Sequence, residues 1–218
     1  MQTLQFDAGQ FTAKAVDGGF ADPVYDAQAV FHALMQANAR PGVRETLADR
    51  LEPPAPLEAG LAAVALTLCD PDTPVWLSPA LRTDAVRAWL AFHAGCPLTD
   101  DAGAAAFVLC AQDDTPPAQD TLHAGTQEYP DRAATLVLAL PALDGGAALT
   151  LTGPGIEQSA AISPVGLPDG FVAARADNRA LFPRGVDVVL VSGRDLVALP
   201  RTTVVATADG SSSNAEAN

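Results

Sequence analysis

Lysine is almost missing from this chain: among its 12 basic residues only Lys14 is a lysine, and the rest are arginines. Chemistry that needs a lysine amine, such as a Schiff base or the phosphate-gripping lysine of a P-loop, must use Lys14 or do without. With 26 acidic residues the formal charge is −14. Affinity for polyanions comes largely from clustered Lys and Arg displacing counterions, so nucleic acid is a poor candidate partner. No uninterrupted apolar run approaches the roughly 18 residues of a membrane span. Residues Met1 to Gln10 also lack the basic flank and apolar stretch of a signal peptide, so a cytoplasmic protein is expected.

The three cysteines, Cys69, Cys96 and Cys110, are odd in number and far apart, with no Cys-x-x-Cys pair for zinc or redox chemistry. Reduced, mostly buried thiols are the expectation. His32, His93 and His123 show no metal-ligand spacing, no Gly-x-Ser-x-Gly elbow supports a hydrolase, and no internal repeat suggests a solenoid. Neither a metal nor an organic cofactor is implied. Gly153-Pro154-Gly155 follows an apolar run but lacks the third glycine of a dinucleotide fingerprint, since position 158 is Gln158. Pro154-Gly155 suits the centre of a type II turn.

What is present is enough apolar material, 49 % of 218 residues, for one substantial core and a single domain over 23–206. Residues 1–22 read as an N-terminal arm whose Phe6, Phe11 and Phe20 favour docking, on the body or on a partner, over disorder. Residues 207–218 have no large apolar side chain and read as a disordered acidic tail.

Three helices are signalled. Ala27, Val30, Phe31, Leu34 and Met35 form the stripe of one that starts at Asp26 and closes at Arg40-Pro41-Gly42. Leu57, Leu61, Val64 and Leu68 mark a second, after a proline-rich break. Thr83 caps a third, which carries Val86, Trp89, Leu90 and His93 and stops at Gly95.

Pro74 to Leu77 reads as a short strand. After Gly103 the pattern becomes strand-length apolar runs: Ala105 to Cys110, Ala134 to Leu140, Ala147 to Thr152 and Val186 to Val191. Such runs imply strands covered on both faces. Leu143-Asp144-Gly145-Gly146 reads as a hairpin turn that makes its two flanking strands antiparallel. The fold class is α/β, a mixed β-sheet flanked by helices.

Three loops at strand ends could carry a site. In Glu128-Tyr129-Pro130-Asp131-Arg132, Arg132 is a fork-shaped donor for a phosphate or carboxylate, or else the partner of Asp131 or Glu128 in an ion pair that pins the loop. Phe182-Pro183-Arg184-Gly185 and Leu199-Pro200-Arg201-Thr202-Thr203 offer Arg184 and Arg201 for an anion, for turn structure, or for a subunit contact. Glu128, Asp131, Arg132, Arg184 and Arg201 are therefore the candidate anion-binding or interface residues, and no residue is assigned a catalytic role.

Read in order, these segments resemble one family. Pro23-Val24-Tyr25-Asp26, Ala39-Arg40-Pro41-Gly42, Asp70-Pro71-x-Thr73-Pro74-Val75-Trp76, Glu128 to Arg132, Leu149 to Ile156, Asn178, Phe182-Pro183-x-Gly185-Val186-Asp187 and Leu199 to Thr203 are similar to the PhnH subunits of bacterial carbon-phosphorus lyase. The resemblance spans roughly residues 20 to 205. It implies a role in phosphonate breakdown, in an assembly that transfers methylphosphonate onto the ribose of ATP with loss of adenine. It further implies a fold like that of pyridoxal-phosphate-dependent transferases without their function, which agrees with the absence of a lysine inside the folded domain.

The implied role is that of an accessory subunit, with the other lyase core subunits as partners and a homodimer when isolated. Two alternatives stand beside it. One is a free-standing enzyme or binding protein for a phosphorylated small molecule around Arg132 and Arg201. The other is a structural homodimer unrelated to phosphonates.

Overall fold

The computed structural model describes residues 16–47 and 51–208. Most of the arm, with Lys14, Phe6 and Phe11, and the tail beyond Ala208 lie outside the described residues.

The apolar runs after Gly103 are strands buried on both sides. β4 (Phe107–Cys110), β5 (Thr135–Ala139) and β8 (Asp187–Ser192) pair in parallel, joined by β2 (Val75–Leu77) and β3 (Leu98–Thr99). β9 (Asp195–Leu199) runs antiparallel to β8, and β1 (Glu45–Thr46) antiparallel to β9. The result is a seven-stranded sheet of order β1-β9-β8-β5-β4-β2-β3.

Because side chains alternate along a strand, Val137, Ala139, Val189 and Val191 enter one core while Leu136, Leu138, Val188 and Leu190 enter another. The first core lies under α1 (Pro23–Ala39), α2 (Ala59–Leu68) and α3 (Asp84–His93). The second lies under α4 (Phe171–Ala180) and a small sheet. Both faces need apolar side chains, so the strands show no polar alternation. Each fully buried leucine contributes about 2 kcal/mol. The α/β class with a mixed sheet and flanking helices is as the sequence implied.

Helix ends follow local chemistry. α1 begins at Pro23, ahead of Asp26, because the Asp22 carboxylate accepts the N–H groups of Val24 and Tyr25 at 3.3 Å and Pro23 suits the first turn. Val30 and Leu34 from the expected stripe are buried, but Phe31 and Met35 remain 50 % and 49 % exposed. Thr83 Oγ1 accepts the N–H of Val86 at 3.2 Å and caps α3. From the described part of the arm, the carbonyl of Asp17 accepts Trp89 Nε1–H at 2.9 Å and that of Val16 lies 2.7 Å from His93 Nε2. α4 is a fourth helix, beyond the three that the sequence signals.

The expected hairpin around Gly145-Gly146 does not form. β6 (Leu149–Thr152) leaves the large sheet and pairs antiparallel with β7 (Ala160–Ile162) and β10 (Val204–Thr207) in a three-stranded sheet. Only Gly145 has positive φ, at 97°, whereas the expected two-residue turn needs it at both positions. Gly146 instead lets the chain cross closely over another segment: its N–H donates to Ser163 O at 2.7 Å, and a Cβ there would stand 2.1 Å from Pro164 O. The tight hairpin of the large sheet lies at Gly193-Arg194, with Ser192 opposite Asp195.

The type II turn expected at Pro154-Gly155 is present. Ile156 N–H donates to Gly153 O at 3.1 Å and Gly155 has φ of 81°.

Candidate functional site

In open α/β sheets, ligands sit beyond the carboxyl ends of the strands, where neighbouring strands send their connections to opposite sides. Here that point lies between β2 and β4: β2 continues through α3 to β3, and β4 continues to β5 on the other side. The chain closes this crevice itself. Ser78, fully buried after β2, accepts the N–H of Ala111 on Oγ at 3.0 Å and donates its own N–H to Leu109 O at 2.9 Å. The Asp114 carboxylate accepts the N–H of Ala80 at 2.8 Å.

The candidate arginines lie at the opposite end. Arg132 precedes β5, Arg184 precedes β8, and Arg201 follows β9, which runs the other way, so these loops meet at the amino ends of the parallel strands. Arg201 is held internally: Nε donates to Asp187 Oδ1 at 3.1 Å, an Nη to Oδ2 at 2.5 Å, and the backbone N–H to Oδ1 at 2.6 Å. This fork-on-carboxylate pair is charge-assisted at every contact. The other Nη donates to the carbonyl of Pro130, and so Arg201 ties the 130–132 turn to β8.

Arg132 is exposed, with its guanidinium 4.2 Å from the Tyr129 ring centroid, a cation–π contact. The ion pairs found among the described residues do not include one from Arg132 to Glu128 or Asp131, both of which face solvent. Arg184 is half-buried beside Gly185, and its N–H donates to Leu181 O at 3.1 Å. Arg201 and the 130–132 turn are thus brought together.

This end is organised by a residue outside the candidates that the sequence offers. Arg175 of α4 is 1 % exposed and donates to the carbonyls of Val186 at 2.9 Å, Leu199 at 3.1 Å and Pro200 at 2.8 Å. Burial pushes its pKa down to about 10, against the pull of Asp187 and with a push from Arg201, so it is still charged at neutral pH. One turn on, Asn178 reads both backbone groups of Val186: Oδ1 accepts its N–H at 2.7 Å and Nδ2 donates to its carbonyl at 3.0 Å. The available signal was spacing, because Phe171, Arg175 and Asn178 fall on one helical face.

A groove of about 730 Å³ opens between the 112–120 loop and α4. Its floor includes Leu136, Leu138 and Phe171, and its rim carries Asp113, Asp114, Asp120, Asp169 and Asp177, with no basic residue among those that line it. At the carboxyl end of β8, burial raises the pKa of Glu58, against the pull of the Gly193 backbone and with a smaller push from Asp113. The cysteines are free and buried as expected. Desolvation pushes the Cys96 thiol up to about 11 and that of Cys110 to about 12, and Cys69 is raised further, so none is a ready nucleophile.

Comparison with known sequences gives the lineage. The family profile described as bacterial phosphonate metabolism protein (PhnH) matches residues 18–206. The chain belongs to the PhnH family. A relative from Rhizobium meliloti (strain 1021), the PhnH subunit of alpha-D-ribose 1-methylphosphonate 5-triphosphate synthase, is 50 % identical over 186 residues, covering 85 % of this chain and 93 % of the relative. The HtxG protein of Stutzerimonas stutzeri, whose name assigns it provisionally to the C-P lyase subunits, is 34 % identical over 178 residues, 81 % of this chain and 84 % of that protein. The segments that carry the resemblance, from Pro23 to Thr203, fall within the matched range.

Proposed function

We propose that this PhnH-family chain is an accessory, non-catalytic subunit of the carbon-phosphorus lyase assembly. There it supports the transfer of methylphosphonate onto the ribose of ATP, the synthase step named for its Rhizobium relative. The observation that carries this reading is the placement of charge. ATP and phosphonates are anionic, yet the 730 Å³ groove is rimmed by carboxylates, and Arg201 and Arg175 are engaged by Asp187 and by backbone carbonyls. An anionic surface repels anionic substrates unless local arginines focus the field. The self-sealed crevice between β2 and β4 supports the same reading.

The fold belongs, in this proposal, to the lineage of pyridoxal-phosphate-dependent transferases. The cofactor itself does not fit this chain: it requires a lysine amine, and the described residues contain none. In this proposal the folded unit spans 23–206 and runs on through Thr207, the last residue of β10, which pairs with Leu149 of β6, with 1–22 as an arm and the residues after Thr207 as a tail. Among the described residues no helix is long and apolar enough to cross a membrane, which is compatible with a cytoplasmic location.

The isolated chain forms a homodimer. α1 suits that contact, because Val24, Tyr25, Phe31 and Met35 are exposed and Asp26 is its one charged residue. At a net charge of −14, few other surfaces can meet their own copy without repulsion.

The test is reconstitution. The purified chain mixed with ATP and methylphosphonate releases no adenine, and a synthase lacking this subunit regains activity when the chain is added. Adenine release by the chain alone, or full activity of the synthase without it, would reject the proposal.

A further inference from the structure

We infer that the acidic groove between the 112–120 loop and α4 is a docking site for a basic segment of another synthase subunit, one that places an apolar side chain between lysines or arginines. This inference rests on the subunit reading above and specifies which surface the partner takes.

Three features of the groove point to that chemistry. Its floor of Leu136, Leu138 and Phe171 favours an apolar side chain over water. Both walls are acidic: Asp113 and Asp120 stand on the loop side, Asp169 and Asp177 on the α4 side, and all four are exposed. The loop adds Pro116 and Pro117, which have no backbone N–H to offer. Carboxylates and proline carbonyls are acceptors only and outnumber the exposed side-chain donors Gln112 and Thr115, so the rim favours hydrogen-bond donors as well as positive charge. Like charges on facing walls also repel one another, and a cationic segment between them removes that cost.

The same features exclude other occupants. A nucleotide or phosphonate would bring more negative charge. A second copy carries the same −14, and its exposed apolar helix, α1, contains neither Lys nor Arg. A small polyamine would satisfy the rim but leave the leucine and phenylalanine floor without a partner. A basic segment with an apolar anchor satisfies both, with the charges steering encounter and the buried anchor supplying affinity.

The experiment measures binding of the full chain to the remaining synthase subunits, co-expressed and purified as a complex, by surface plasmon resonance at several salt concentrations. Three versions of the chain are compared: native; D113K/D169K/D177K; and the milder D113N/D169N/D177N, which changes only exposed side chains and keeps their shape. A control reverses as many charges outside the groove, with D72K/D100K/E157K. The expected result is a loss of about tenfold or more for the lysine variant, an intermediate loss for the asparagine variant and little change for the control, with native binding weakening as salt rises.

Groove variants that bind like the native chain, or a control that loses as much, would overturn the inference and leave the subunit reading standing. A native chain that captures none of the subunits would overturn both.

Discussion

At the residue scale, the decisive group is a buried arginine. Arg175 holds three carbonyls from two chain segments together. Replacing it with methionine keeps the apolar bulk but leaves those acceptors unsatisfied, each costing about 1–3 kcal/mol, while relieving the desolvation of the charge. Arg175→Met is expected to lower unfolding stability by about 2–4 kcal/mol, read as a fall in urea midpoint at unchanged slope.

Glu58 gives a pH signature. Because burial raises its pKa above 4.5, the folded state holds this proton more tightly than the unfolded chain. Its contribution to stability is therefore present below the ordinary carboxylate range and is lost as pH rises through the folded value. Glu58→Gln removes that titration. The urea midpoint of the variant should gain on the native chain between pH 4 and pH 7, and a difference that stays flat with pH would contradict the assignment.

At the element scale, what matters is how closely backbones approach. The Gly153-Pro154-Gly155 turn rests on the end of α1, where a Cβ on Gly155 would stand 2.2 Å from Ala39 O. With φ at 81°, alanine is opposed both by its own backbone preference and by its neighbour. Gly155→Ala is expected to cost about 2 kcal/mol or more in thermal or chemical unfolding. The turn was readable because Pro154-Gly155 has one dominant conformation. The Gly145-Gly146 pair was not, because two adjacent glycines permit both a hairpin and a close crossing, and the choice between them is made by Ser163 and Pro164, more than fifteen residues downstream. α4 went unassigned for a related reason: its inward face carries Arg175 and Asn178, which weaken the apolar periodicity that marks a helix.

At the scale of the whole molecule, charge governs association. A chain of net charge −14 meets its own copy most readily through a surface poor in carboxylates, and α1, with Asp26 as its one charged residue, offers such a surface beyond its first turn. Phe31→Glu combined with Met35→Glu should convert the isolated chain from dimer to monomer in light-scattering mass measurements, with its circular dichroism unchanged because both side chains stand about half in solvent. A native chain that is already monomeric would remove α1 from this role.

The amino-acid sequence by itself determined the element types and the limits on chemistry. Apolar runs of strand length predict strands covered on both faces, three-to-four spacing predicts helices, and a lone lysine at position 14 leaves no amine for a Schiff base among the described residues. These follow from properties of neighbouring residues or from composition, which need no coordinates. Tertiary structure decided what the arginines do and where ligands are opposed. Arg201 finds Asp187 fourteen residues away, Arg175 finds carbonyls eleven to twenty-five residues away, and five aspartates from separate segments converge on one groove. A charged side chain reads the same in a sequence whether it faces a ligand, a partner or its own backbone. Only folding brings in the counter-group that settles which.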